Sequence, residues 1–249
     1  MSDEEKTENK VESISLVDET LKKFSQGLLN NLGKLILINL LWFIFAIPLF
    51  MLLFTKSRMD SSNFFALLFP FLILPAPATA SIFNLTFQII EGKDVKVIRD
   101  FFGGIGKYLV KGILLSAVII MLFTAGFLYI WFCTNLKLSG VLPIVLIAIG
   151  LWIIFFIALM QSYLFPQMIQ RNLNIKKILA NSIYLTFDNV GFNSVIFLIA
   201  VVTWLVFGLS GIGIIILFMS APSFLYNLAF KILLEKNYGV GGEIFKKRR

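Results

Sequence analysis

Long stretches without a single charge, divided by short polar and basic connections, set the plan of this chain. Residues 35–55, 61–90, 112–136, 138–170 and 189–230 contain no Asp, Glu, Lys or Arg. A bilayer core about 30 Å thick is crossed by roughly 20 helical residues. The first four runs therefore each read as one crossing, and the last is long enough for two. Within that last run GLSGIG, residues 208–213, supplies the small residues of a tight reversal. The pattern predicts six spans, at about 35–54, 64–90, 111–132, 139–164, 190–209 and 212–234. Helix is required of them, because backbone groups facing lipid find no water to bond and no run shows the short alternating segments of a membrane barrel. The fold class is all-α, a polytopic membrane bundle of about six transmembrane helices with short interfacial helices and a proline-broken second span.

The second span carries Pro70, Pro75 and Pro77 in its outer half. Each removes a backbone donor and crowds the preceding turn, so a broken or re-entrant segment ending near Pro77 is expected. A regular helix that Thr79 or Ser81 helps to start then follows. This stretch, LPAPATASIFNLTFQIIE at residues 74–91, reads as the hub of the fold. It is echoed by APSFLYNLAFKILLE at 221–235, where Tyr226-Asn227-Leu228-Ala229-Phe230 answers Phe83-Asn84-Leu85-Thr86-Phe87. The two spans run in one direction, so either a duplicated hairpin or chance likeness of two apolar helices accounts for the echo. Other polar positions in the spans are Asn39, three residues before Trp42 in the first, and Gln161, Gln167 and Gln170 in the fourth. Such amides commonly bond a neighbouring helix and sometimes a solute.

Between and before the spans the pattern turns amphipathic. Residues 1–12 are acidic and poor in apolar partners, a composition that favours a mobile tail. From Ser13, Ile14, Val17, Leu21, Phe24 and Leu28 recur at helical spacing, predicting a helix along the head-group region or a docking surface. The connection 91–111 mixes Lys93, Lys96, Arg99, Lys107 and Lys111 with Phe101 and Phe102, and reads as an interfacial helix followed by a flexible joint at Gly103, Gly104 and Gly106. A second surface helix, with Lys176 and Lys177, is expected over 172–189. The chain thus divides into 1–33, an acidic tail and interfacial helix; 34–235, the membrane domain; and 236–249, a basic tail.

Composition agrees: 58% of residues are hydrophobic and 14% charged, values outside the range of soluble domains. The net charge of +8 is then a topology signal. With the N-terminus inside, only Lys56, Arg58 and Lys137 of the 22 basic residues fall in outer loops, which leaves 19 inside and places both termini in the cytoplasm. No loop is long enough to build a basic nucleic-acid-binding face. The tail Lys246, Lys247, Arg248 and Arg249 fixes topology or touches anionic head groups. The head lacks the positive start and cleavage site of a secretory signal. Histidine is absent and Cys133 is the single cysteine, so no cofactor or metal site is expected and a His-based triad is excluded. Gly106-Lys107 fails the phosphate-loop pattern, having Phe101 and Tyr108 where Gly and Ser or Thr are required. The acceptor-like Asn84-Leu85-Thr86 lies within a span.

LINLLWFIFAIP at 37–48 and the stretch from 74 to 115, with its Asn-Leu-Leu-Trp and Pro-Ala-Thr-Ala signatures and basic Gly/Phe loop, resemble the YesL family of bacterial membrane proteins. The resemblance covers the first half; the second half agrees in span pattern. This chain departs in a longer acidic N-terminal segment and a longer first outer loop. The resemblance implies a small multi-pass protein of the bacterial plasma membrane, encoded beside carbohydrate importers, whose partners are the lipid bilayer and subunits of an ABC importer. With interiors offering amides, hydroxyls and aromatics and no ionisable group, the expected function is a non-enzymatic accessory or assembly protein. The alternative is a permease for a neutral solute. Contact candidates are Asn39, Trp42, Pro77, Thr79, Asn84, Gln161 and Asn227. Surface or docking candidates are Lys93, Lys96, Arg99, Phe101, Phe102, Lys107, Lys176 and Lys177.

Overall fold

The computed structural model describes residues 3–136 and 141–238. Lys137 and the basic cluster at 246–249 lie outside them. The chain is 90% helical with no strand among the described residues, an all-α bundle. Its elements are α1 (Asp3–Asn30), α2 (Leu32–Thr55), α3 (Ser61–Ile73), α4 (Ala76–Ile90), α5 (Val97–Asn135), α6 (Leu142–Gln170), α7 (Ile175–Asp188), α8 (Val190–Leu209), α9 (Ile212–Ile216) and α10 (Ser220–Leu233), closed by a π-helical turn at Leu234–Tyr238. Among the described residues five segments are long and apolar enough to cross a membrane: Leu32–Arg58, Ser62–Ile90, Val97–Asn135, Leu142–Gln170 and Val190–Leu209. The sixth expected span is divided. Its residues form α9 and α10, separated at Leu217, whose φ of −141° leaves the helical region.

The second span breaks where the prolines place it, although the new helix begins at Ala76 with Pro75 as its N-cap, so Thr79 and Ser81 lie inside α4. The reversal at residues 208–213 holds, with Gly211 at φ +65°, a conformation nearly free of cost only for glycine.

Two expectations are corrected. The glycines at 103, 104 and 106 form no joint, because α5 runs unbroken for 39 residues, about 58 Å at 1.5 Å each. That is nearly twice a bilayer core, so its basic first third is continuous with its apolar remainder. Gly104 and, further on, Gly112 work by their size. A Cβ on Gly104 would collide with the Ser81 side chain, and one on Gly112 would lie 3.1 Å from Ala80 Cβ and 3.4 Å from the Ala76 carbonyl. The close approach of α4 and α5 depends on these small residues. Second, α1 begins well before Ser13 and runs antiparallel beside α10. Phe24 meets Phe224 with centroids 6.2 Å apart, and Glu19 pairs with Lys236 at 2.5 Å. Its buried face carries Leu16 and Thr20, while Ile14 is 59% exposed.

Helices α4 and α10 are the centre. Nearly every side chain of both is buried, including thirteen of the fourteen in α10. The two lie side by side in parallel, with Asn227 of α10 bonding Phe83 of α4 and Lys231 bonding Glu91 near their C-termini. The end where these helices finish, where α6 meets α7 and where the 91–96 connection lies is called here the charged end. Packing concentrates in that half, with Leu159, Met160, Leu164 and Met168 of α6 and Phe101, Tyr108 and Leu115 of α5 buried. Toward the opposite end Phe54, Phe127, Trp131, Trp152 and Leu205 are exposed, the apolar girdle that lipid covers.

Candidate functional site

Every buried polar residue among those described is neutral: amides and hydroxyls from Thr20 to Asn237, with no buried Asp, Glu, Lys or Arg. The question is whether these groups face a ligand or one another.

Asn39 is fully buried and uses both ends of its amide on the break between α9 and α10. Nδ2 donates to the carbonyls of Ile214 and Ile215 at 2.9 and 2.8 Å. Oδ1 accepts from the backbone N–H groups of Met219 and Ser220 at 2.7 and 3.1 Å. A split helix leaves carbonyls orphaned on one side and N–H groups on the other, and one asparagine satisfies both sets. Trp42, one turn along α2, donates its indole N–H to Thr79 Oγ1 at 2.9 Å. Ser81, two residues on, donates to the Phe101 carbonyl at 2.6 Å. The hydroxyls expected to start α4 therefore tie it to α2 and α5.

Asn227 joins three helices. Its Nδ2 donates to the Phe83 carbonyl at 2.7 Å and Thr86 Oγ1 at 2.8 Å on α4. Its Oδ1 and its backbone carbonyl both accept from Gln170 Nε2 of α6 at 3.1 and 2.9 Å. The counterpart Asn84 is half-buried and forms no hydrogen bond to a described residue, so the echo of sequence between α4 and α10 does not extend to equivalent bonding. Gln161 is likewise half-buried, and Pro77 is buried in the first turn of α4. Asn39, Trp42, Pro77 and Thr79 meet around the helix breaks. Asn227 acts lower, and Asn84 and Gln161 join neither group. Asn193 of α8, which carried no sequence signal, donates to the Leu159 carbonyl at 3.0 Å and accepts from Ser162, and Gln167, one of the polar positions of the fourth span, donates to Ser182 of α7 at 2.7 Å.

At the charged end Lys93, Lys96, Arg99, Lys107, Lys176 and Lys177 are all exposed. Phe102 is 53% exposed, whereas Phe101, expected beside it at the surface, is in the core with its ring 6.2 Å from that of Phe45. The reason is helical spacing: residues 97, 101, 104 and 108 share the face of α5 that meets α4. Asp100 accepts from the Lys96 N–H at 2.9 Å and secures the start of α5. Tyr238 donates to Asp188 and accepts from Asn189 Nδ2 at 2.8 Å, which docks the π-helical turn on α7. Burial and the adjacent Asp188 carboxylate hold the Tyr238 phenol well above its ordinary range. Hydrogen bonds from Lys23, then Lys236, hold the Glu19 carboxyl below its usual value.

An open cleft of about 580 Å³ lies between the last turns of α4, α6 and α10, lined by Phe87, Glu91, Gln170, Arg171, Leu173, Lys231, Leu234 and Glu235. Lys231 stands at its centre, 2.5 Å from Glu91 and 3.9 Å from Glu235. In the sequence Arg171 and Lys231 count toward topology, and Glu91 and Glu235 stand only as the residues that close the two echoed stretches. The available signal was position: Glu91, Arg171 and Lys231 are each the first charge after a charge-free run. Among the described residues no group of three or more His, Cys, Asp or Glu is placed to hold a metal ion.

No curated protein and no solved structure matches the chain. Residues 35–133, from α2 through most of α5, match the family described as Protein of unknown function, DUF624.

Proposed function

We propose that this protein is a non-enzymatic accessory or assembly factor of a membrane complex, a YesL-like protein of the bacterial plasma membrane working beside a carbohydrate importer. The observation that carries this reading is the use of the interior amides. Asn39 and Asn227 spend their side-chain hydrogen-bonding groups on other helices, so the polar centre fastens the bundle together. Most of the exposed basic residues lie at the charged end. There Lys93, Lys96, Arg99 and Lys107 flank exposed Ile98 and Phe102 along the start of α5, and Lys176 and Lys177 are exposed in the first turn of α7. Apolar anchors within a polar rim are the composition of a protein interface. The basic excess supports a cytoplasmic position for this end, the side where an importer carries its ATPase subunits.

The test is purification of the complex from native membranes in a gentle detergent, with crosslinking from residues 98 and 102. Importer subunits crosslinked at these positions, together with reduced sugar uptake in a deletion strain, are the expected results. Recovery of the protein alone with unchanged uptake defeats the proposal. A second reading, a permease for a neutral solute, draws on the adjacent breaks before α4 and α10, since discontinuous helices carry the sites of many transporters. Uptake by reconstituted vesicles that is lost in Asn84→Leu would favour it over the first.

A further inference from the structure

A groove of about 400 Å³ runs between α1 and α8, with Ile14, Val17, Asp18 and Leu21 on one wall and Gly191 and Val195 on the other. Its apolar walls stand open: Ile14 is 59% and Val195 39% exposed, and a Cβ on Gly191 would meet nothing within 4 Å. We infer that this groove is the docking site of the chain's own segment 243–249, EIFKKRR. Ile244 and Phe245 fill the apolar trough, and the basic run lies along α1. The inference does not depend on the accessory role.

The first argument is where the described chain ends. Tyr238 donates to Asp188 and accepts from Asn189 at the junction of α7 and α8, two residues before Gly191. Lys236 bonds Glu19 of α1, the neighbour of Asp18, at 2.5 Å. The π-helical turn is thus pinned to both helices that build the groove, and the chain continues from its edge. Six residues separate Tyr238 from Ile244, a reach of up to about 20 Å. The apolar wall from Ile14 to Leu21 is about 10 Å long. Gly239, Gly241 and Gly242 in that connection leave the backbone free to turn into the trough. A segment tethered so closely has an effective concentration on the order of millimolar, so two apolar side chains suffice to hold it.

The second argument is charge. Lys246, Lys247, Arg248 and Arg249 are all basic. The charged residue on the groove wall is Asp18, whose pairing with Lys22 is largely solvent-exposed and therefore weakly held. Beyond Ile14 the opening turns of α1 carry Asp3, Glu4, Glu5, Glu8 and Glu12 against Lys6 and Lys10. A segment laid from Glu19 toward the start of α1 brings its apolar pair to the trough and then its basic run to these acidic turns. A lipid acyl chain would fill the trough but leave the acidic rim unanswered, and an anionic head group would be repelled by it.

The experiment uses the full-length protein with Cys133 replaced by Ser. Glu243→Cys is paired in turn with Ile14→Cys, Leu21→Cys and Phe187→Cys. Phe187 is 68% exposed and adjoins Asp188, so it is a control beside the anchor and outside the groove. Oxidation with copper phenanthroline is followed by mass spectrometry of the linked peptides, in detergent and in nanodiscs of phosphatidylcholine with or without phosphatidylglycerol. At least one of positions 14 and 21 is expected to link within one molecule roughly tenfold faster than position 187 under all three conditions. Gly191→Phe, which occupies the trough from a position with open space, and Phe245→Ser are each expected to slow that link roughly tenfold, as loss of one buried aromatic does. Asp18→Lys is expected to slow it roughly threefold, as loss of an exposed ion pair does. Helicity and monodispersity of each variant confirm folding. The inference is overturned if position 187 links as fast, if Gly191→Phe or Phe245→Ser leaves the rate unchanged, if the links join two molecules, or if phosphatidylglycerol abolishes them by capturing the basic run.

Discussion

Replacing Asn39 by Leu tests the fastening role of the interior amides most directly. Leucine keeps the branched outline of asparagine with two methyl groups in place of the amide oxygen and nitrogen, so the change removes hydrogen bonding without opening a cavity. Four bonds are lost, to Ile214, Ile215, Met219 and Ser220. Interhelical hydrogen bonds in membranes are worth on average about 0.6 kcal/mol, so four give about 2.4 kcal/mol. Counting instead the two orphaned N–H groups at about 1–3 kcal/mol each gives roughly 2–6 kcal/mol. The two routes overlap at a destabilisation of about 2–3 kcal/mol. Reversible unfolding in mixed micelles of mild detergent and dodecyl sulfate measures it. Amide hydrogen exchange adds a local reading, with the N–H groups of Met219 and Ser220 expected to lose protection before the rest of α10. If Asn39→Leu unfolds within about 0.5 kcal/mol of the parent and both amides stay protected, the break between α9 and α10 is held by something other than this side chain, and the argument from satisfied amides fails.

The Trp42 to Thr79 bond is expected to show a coupling of about 1 kcal/mol in a double-mutant cycle of Trp42→Phe and Thr79→Val; additive effects would mean that the contact contributes nothing. Gly112→Leu drives a side chain into Ala76 and Ala80 and should destabilise the bundle by about 1–3 kcal/mol, whereas Gly106→Leu, with open space around it, should be nearly neutral in the same unfolding assay. Glu19, held below its ordinary 4.5 by Lys23 and Lys236, stabilises the fold above 4.5, and this contribution disappears as pH falls through the lowered value. Because its side chain is 30% exposed the effect is under about 1 kcal/mol, and acid titration of Lys236→Met should show a smaller loss than the parent; an identical loss would contradict the pairing of α1 with the end of α10.

Charge-free runs carried the broad architecture because bilayer and backbone together leave helix as the solution, and the prolines at 75 and 77 marked the first break. The second break was illegible. Leu217 and Phe218 carry no helix-stopping signal, and the interruption is stabilised by Asn39, some 180 residues earlier, through the Met219 N–H. Gly103, Gly104 and Gly106 suggested a hinge because local propensity favours that reading; only the position of α4 shows that Gly104, with Gly112 further on, admits a neighbouring helix. Asn39 and Asn227 were recognised as polar residues in apolar runs, but whether such an amide faces a neighbour or a solute depends on which helices are adjacent. The cleft was hidden for a related reason. Its four charges come from three separate segments, and each alone resembles an ordinary membrane-boundary residue.

The enclosure of α10 bears on how the protein is made. A segment with thirteen of fourteen side chains withdrawn from its surroundings follows the longer membrane helices in chain order, and until it arrives they surround an unfilled axis. It must also slide alongside α1, the earliest helix to be synthesised, and bond Glu91 in the midst of the chain. Closure therefore belongs after translation of the bundle, and a nascent chain arrested before residue 220 should be a substrate for membrane proteases.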